Sequence, residues 1–230
     1  MALHAMALLP RNPSGRRSRM RCGLPACAWV AVREAAVASR RSIRQYLDKP
    51  VDPAVLRRVM EKAQGSPSGG NTQPWNVIVL TGDPLAALLA RVAEVIPQGL
   101  AAYSPEYNVY PPELDGAYQQ RRFGVGEAMY AALDIPRDDK PSRLKWFARN
   151  FQAFGAPVLM LVHTKRYMGP PQWADMGMWL QTVSLLLREG RRVVGAGALS
   201  RADRGVGCAL RDALDVVAKG GGDRVGDWLS

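Results

Sequence analysis

The residues best suited to chemistry lie in Ser66-Pro67-Ser68-Gly69-Gly70-Asn71-Thr72-Gln73-Pro74-Trp75 and, upstream, in Arg40-Arg41-Ser42-Ile43-Arg44. The first stretch packs two prolines, two glycines, three hydroxyls and two amides into ten positions. Gly and Pro call for a turn with unusual backbone angles or close approach to another group. The short polar side chains can donate to and accept from a ligand rich in heteroatoms. The upstream cluster offers three guanidinium groups and a hydroxyl, the chemistry that holds a phosphate monoester. Taken singly, each has a plain alternative: a polar loop is ordinarily a connection, and an Arg-Arg-Ser helix end is ordinarily a solvated face.

Other chemistries find little support. The three cysteines, Cys22, Cys27 and Cys208, form no C-x-x-C pair, which argues against a disulfide framework and against a structural zinc site. His4 and His163 are the only histidines. His163 closes an apolar, strand-like run and reads as structural, and no nucleophile elbow supports a Ser-His-Asp enzyme. Val193-Val194-Gly195-Ala196-Gly197-Ala198-Leu199-Ser200, with Asp215 beyond, imitates a dinucleotide fingerprint. It has Ser200 where the third glycine belongs, and barely two apolar residues precede it. Any redox work must therefore come from a bound cofactor. The net charge of +11 invites a nucleic-acid reading, but residues 1–33 carry six arginines and no acid, more than half of that excess. No dense basic stripe with interleaved aromatics follows, so nucleic acid is rejected as a partner.

At 230 residues the chain can bury the core of one domain. Residues 1–31 form an Arg-rich, acid-free head without sustained periodicity, fitting either an organelle transit segment or a start assigned upstream of the true one. A first helix is expected from Val32 to Ser39. Asp52-Pro53 begins the next, an N-cap followed by Pro at the first helical position, with an apolar stripe of Val55, Leu56, Val59, Met60 and Ala63. Val77–Leu80 reads as a buried strand, and Asp83-Pro84 opens a helix carrying Leu85, Leu88, Leu89, Val92 and Val95. Residues 97–115 form a Pro- and Tyr-rich loop with Tyr103, Tyr107 and Tyr110. Two further helices follow, over 115–133 and 141–154, an excursion of the size that often builds a lid, with Trp146, Phe147, Phe151 and Phe154 as candidate pocket residues. Residues 157–162 form a second strand. A long helix then runs through Leu187, apolar nearly all round and hence expected to be buried on most sides. No stretch could span a bilayer, so no membrane partner is expected.

In this order, with one helix between them, the two polar clusters resemble the nitroreductase superfamily of FMN-dependent enzymes. The residues carrying the resemblance are Arg40, Arg41, Ser42 and Arg44, then Pro67, Ser68, Asn71, Gln73, Pro74 and Trp75. The Tyr-Pro-Pro, Arg-Asn-Phe-x-x-Phe-Gly-Ala-Pro and Gln-Trp-x-Asp-x-Gly-Met segments look like its nitrobenzoate reductase branch. The resemblance implies an α+β fold: a mixed, mainly antiparallel sheet flanked by helices, assembled as a homodimer with FMN at the interface. It implies that Arg40, Ser42 and Arg44, with Arg41 nearby, hold the phosphate and ribityl end. Pro67, Ser68, Asn71 and Gln73 would line the ring and ribityl chain. NAD(P)H would give hydride to the flavin, and a small aromatic nitro compound or a quinone would then take the electrons, in ping-pong order. No catalytic side chain and no metal ligand is assigned, and the expected compartment is the cytoplasm, or an organelle if the head is a transit peptide. Alternatives are another reductive reaction on the same fold, or a damaged, non-catalytic chain that binds flavin.

The resemblance covers about residues 32–189. From Gly190 to Ser230 the expected Cys-Pro-Gln-Glu-like segment, last strand and arginine-bearing tail are replaced by Gly/Arg/Ala/Asp-rich sequence. A reading-frame shift near codon 190 would give this composition.

Overall fold

The computed structural model describes residues 34–95 and 110–190. The expectations for the head, for Tyr103 and Tyr107, for the cysteines and for the tail lie outside these. Two compact units emerge, one discontinuous in sequence.

The first unit holds residues 34–81 and 157–190. A short helix over 34–39 (α1) precedes α2, Pro53–Ala63. The Asp52 carboxylate accepts from the Ala54 N–H at 2.8 Å, satisfying one of the donors that a helix start leaves open. Strand β1 (Asn76–Thr81) pairs antiparallel with β2 (Val158–His163), in register from Asn76 opposite His163 to Thr81 opposite Val158. Helix α6 spans Pro170–Glu189, with Pro170 and Pro171 in its first turn. The Gln172 side chain accepts from the Gly169 N–H at 3.1 Å and closes its N-terminus. Val55, Val59, Met60, Ala63, Trp75, Trp179, Val183 and Leu187 make one apolar cluster of α2, α6 and the residue before β1. The expected α2 stripe is buried throughout.

The second unit, within 82–156, contains α3 (Gly82–Val95), α4 (Gly116–Ala131) and α5 (Lys140–Ala148). Leu85, Leu88 and Val92 of α3 are buried, and α3 packs on a 3-10 segment, Arg149–Gly155, whose Ala153 and Phe154 are also buried. Asp139 caps α5 by accepting from the Ser142 N–H at 3.0 Å.

Four expectations need correction. The α-helical part of the expected 141–154 helix stops at Ala148; the chain tightens into the 3-10 segment Arg149–Gly155, in which Ala153, Phe154 and Gly155 take positive φ, 48°, 53° and 75°. L-residues there end a helix at a strain of about 1–3 kcal/mol each, offset here by burying Phe154. Asp83 lies in the first turn of α3, which begins one residue earlier at Gly82 (φ 55°). β1 is half-buried along most of its length, with Leu80 alone fully covered. Finally, α6 is not enclosed on most sides within one chain. Asp175, Trp179, Val183 and Leu187 are buried, but Trp173, Met178 and Leu180 remain 57%, 41% and 44% exposed.

Helices α4 and α5 bury no residue and are tied by charge instead. Arg143 forks onto Glu127, with Nη1–Oε1 at 2.8 Å and Nη2–Oε2 at 3.4 Å, donates Nε–H to the Pro136 carbonyl, and stacks over Tyr130. That hydrogen bond, above all, holds the Glu127 carboxyl below its usual range against a smaller opposing effect of burial, and the charges of Arg143 and Arg137 add to it. Hydrogen bonds from the Ser142 hydroxyl and backbone lower Asp139 in the same direction. A carboxyl depressed on folding stabilises above its unfolded pKa, and the gain is lost as pH falls through the folded value. The α4–α5 pairing should therefore be fully present at neutral pH and weaken on acidification below the ordinary carboxylate range. Hydrogen exchange of residues 116–148 at descending pH checks this. Glu127→Gln should remove the Glu127 part of the profile and leave the Asp139 part.

Candidate functional site

The polar loop begins where α2 ends and is wired from several directions. The Ser66 hydroxyl, buried, donates to the Ala63 carbonyl at 2.8 Å and turns the chain off the helix. Ser68 Oγ accepts from the Gln73 N–H at 3.0 Å, closing a ring over residues 68–73 around a 3-10 turn, Gly69–Asn71. Within that ring Gly70, Asn71 and Gln73 all have positive φ, 58°, 55° and 48°. Gly takes such angles freely and Asn readily, but Gln does not, so the surroundings must hold Gln73 there. The Gln73 Nε2 amide donates to Asn71 Oδ1 at 3.0 Å, which fixes one amide against the other.

Two links bind the loop to the core. Trp75 donates Nε1–H to Gln64 Oε1 at 2.8 Å, and its ring lies 6.0 Å from Trp179 of α6 at an interplanar angle of 21°. Asp175, one turn before Trp179 and only 6% exposed, accepts the Gly69 N–H on Oδ2 at 3.2 Å. The expected site residues Ser68, Asn71 and Gln73 are thus brought together. Asn71 is exposed and Ser68 and Gln73 half-buried, while Pro67 stands exposed at the entrance to the turn.

The arginine cluster is built differently. Residues 40–44 follow α1 as irregular chain, with Arg41, Ser42 and Arg44 exposed and Arg40 half-exposed. Arg41 Nη1 donates to the carbonyls of Ala38 at 2.7 Å and Arg40 at 2.9 Å, while Arg44 Nη1 donates to that of Ser42 at 3.3 Å. Among the described residues, no carboxylate pairs with Arg40, Arg41 or Arg44. α1 is pinned to the far end of α6 by Arg188 Nε–H donating to Ser39 Oγ at 2.8 Å. Asp175 and Arg188 are 13 residues apart on one helix, which separates the two anchors by about 20 Å along its axis. No hydrogen bond or ion pair joins the arginines to the loop among the described residues.

These groups fit a phosphorylated heteroaromatic cofactor. Among the described residues no acid compensates these cations, and the Asn71 and Gln73 amides keep donor and acceptor capacity beyond their one shared bond. Sequence reasoning missed Gln64 and Asp175. Asp175 carried one signal: it is the single acid between Pro170 and Arg188 in an otherwise apolar helix. Among the described residues, no group of three or more His, Cys, Asp and Glu could hold a metal ion, and no helix is long and apolar enough to cross a membrane.

The sequence profile of the Nitroreductase family matches residues 37–191. A 4-nitrobenzoate reductase of Pseudomonas putida is 34% identical over 158 residues, covering 67% of this chain and 67% of that protein. The match thus spans about two thirds of the relative's length. Among solved structures, the FMN and NADPH-dependent nitroreductase NfnB from sphigopyxis sp. strain HMH superposes with a TM-score of 0.67 at 52% identity, covering 69% of this chain and 71% of that one. The FMN-dependent nitroreductase NfnB from Mycobacterium smegmatis, solved with NADPH, gives 0.74 over 81% and 82% at 24% identity, a likeness of fold.

Proposed function

The chain belongs to the nitroreductase family of oxidoreductases, and we propose that it binds FMN and uses a reduced nicotinamide to reduce small aromatic nitro compounds. The observation that carries this reading is the loop of residues 66–75. Its strained turn is held from inside by α2 and α6, which leaves the Asn71 amide exposed. When bound, FMN would supply the hydride and electron chemistry; the protein supplies position, electrostatics and a site shielded from water.

Arg40 and Arg44, with Ser42 between them and Arg41 adjacent, would hold the phosphate. Pro67, Ser68, Asn71 and Gln73 would hold the ring and ribityl chain, with backbone and amide groups in fixed directions. Because the two groups hang from opposite ends of α6, the reading that suits them is a site completed by a second copy of the chain. The exposed Trp173, Met178 and Leu180 of α6 and Tyr118, Phe123 and Val125 of α4 offer apolar surface for such a homodimer. Its compartment on this reading is the cytoplasm.

The purified chain should be yellow and dimeric, and should oxidise NADPH or NADH faster when 4-nitrobenzoate or a quinone is added. We further propose that residues 190–230 are a replaced segment, since the family match ends at residue 191, and that 1–31 are a head outside the folded domain. A colourless chain that takes up no added FMN would place the defect in that segment. A well-supported single-frame nucleotide sequence giving these same residues would count against a frame shift.

A further inference from the structure

We infer that Asp175 is a positioning residue, its buried carboxylate holding the 68–73 loop in its ligand-ready shape. This rests on the flavin reading above for its function, but the tether itself is read from geometry. Asp175 is buried among apolar neighbours on α6, and carboxylates are almost never buried without a specific partner. Its one hydrogen bond among the described residues goes to the Gly69 N–H, across 106 positions of sequence. No cation pairs with it among the described residues.

Gly69 follows Ser68 directly, and the Ser68 hydroxyl takes the Gln73 N–H. One bond from α6 therefore fixes the start of a ring whose far side carries the Gln73 and Asn71 amides. Positive-φ residues persist only where the surroundings over-determine them. Asp175 at the loop's start and the Trp75–Gln64 bond at its end constrain the turn from the neighbouring helices, beside the Ser66 bond back to Ala63. The Trp75–Trp179 stack closes the same frame, because Trp179 lies one helical turn beyond Asp175.

The test uses the full chain and two readouts: amide hydrogen exchange of peptides covering 66–75, and FMN affinity from quenching of flavin fluorescence. Asp175→Ala removes the acceptor. The expected result is exchange about tenfold faster in the loop and FMN binding about tenfold weaker, the scale of one lost charge-assisted hydrogen bond. Asp175→Asn keeps an acceptor oxygen and should recover most of both. Gly69→Pro removes the donor and sets its ring Cδ where the N–H pointed at Asp175 Oδ2, so the carboxylate must also move aside. Ser68 already has extended angles (φ −151°, ψ 149°) that tolerate a following proline. Gly69→Pro should loosen the loop at least as much as Asp175→Ala, and the double variant, in which the space is free, should return to the Asp175→Ala level.

If Asp175→Ala does not fold, the Asn and Pro variants decide the matter by themselves. Unchanged loop exchange in Asp175→Ala, or in Gly69→Pro, overturns the tether. A wild-type chain that binds no FMN but whose loop exchange responds to these changes supports the tether and removes the flavin reading alone.

Discussion

Replacing Arg40 and Arg44 together by alanine should weaken FMN binding by at least about 100-fold while leaving the folded chain as stable as before. The magnitude follows from charge-assisted hydrogen bonds to an anion, worth roughly 1.5–3 kcal/mol each, or about tenfold to a hundredfold per arginine. The unchanged stability follows from what these side chains do without ligand. Arg44 touches a backbone carbonyl at 3.3 Å, and neither pairs with an acid among the described residues. Removing such groups usually changes stability by less than about 0.5 kcal/mol. Arg41 makes a useful contrast. Its guanidinium donates to the Ala38 and Arg40 carbonyls just beyond α1, so Arg41→Ala should loosen that helix end as well. Titration of apo protein with FMN at two salt concentrations, beside a thermal melt, separates the outcomes, since attraction between exposed charges and a phosphate fades with salt. Lysine in place of Arg40 should restore only part of the affinity, having lost the planar fork. A double alanine variant that binds FMN like the parent would move the phosphate site elsewhere in the chain.

The second large effect belongs to Trp179. It is fully buried, stacks on Trp75 and sits in the cluster that joins α2 to α6. Trp179→Ala should cost about 3–5 kcal/mol, a large share of the roughly 5–15 kcal/mol that holds a domain folded. Urea titration followed by far-ultraviolet circular dichroism measures this directly. The indole also has a cost of its own, because Nε1 of Trp179 is buried with no hydrogen-bond partner among the described residues. An unsatisfied buried donor costs about 1–3 kcal/mol, so Trp179→Phe removes that cost while it shrinks the ring. Its net loss should be under about 1.5 kcal/mol. Equal destabilisation by Phe and Ala would mean that the indole N–H finds a partner in the assembled protein. Trp75→Phe has no such compensation, because its N–H is bonded to Gln64 and holds the end of the loop.

What was legible in the sequence is what depends on neighbours in sequence. Asp52-Pro53 announced α2 because a cap and a proline act within one turn, and the period of Val55, Leu56, Val59, Met60 and Ala63 marked the buried face. The loop and the arginine cluster were visible as residue types and as a resemblance, which implied Ser68, Asn71 and Gln73 as ring and ribityl contacts; the bonds that join the three to one another were not. The left-handed turn at Ala153 and Phe154 was not visible, since neither residue type prefers such angles and the segment that carries them packs on α3, a partner distant in sequence. The openness of α6 was not visible either. Apolar composition all round a helix says that it wants cover, but not whether the same chain supplies it. Asp175 was hidden for a third reason: its meaning lies in a partner 106 residues away. The separation of the two polar clusters along α6 likewise appears only once both anchors are placed.

The first unit is assembled from two stretches of chain with the whole of 82–156 between them, and this fixes an order of events during synthesis. When β1 leaves the ribosome its partner strand does not yet exist, and neither does Trp179. At about 5–20 residues per second the gap between Thr81 and Val158 lasts several seconds or more. Throughout that interval Val59, Met60, Trp75 and one edge of a nascent hairpin-less strand are uncovered. Helix α6, last of the described elements to emerge, completes the core and ties down the 66–75 loop in one step.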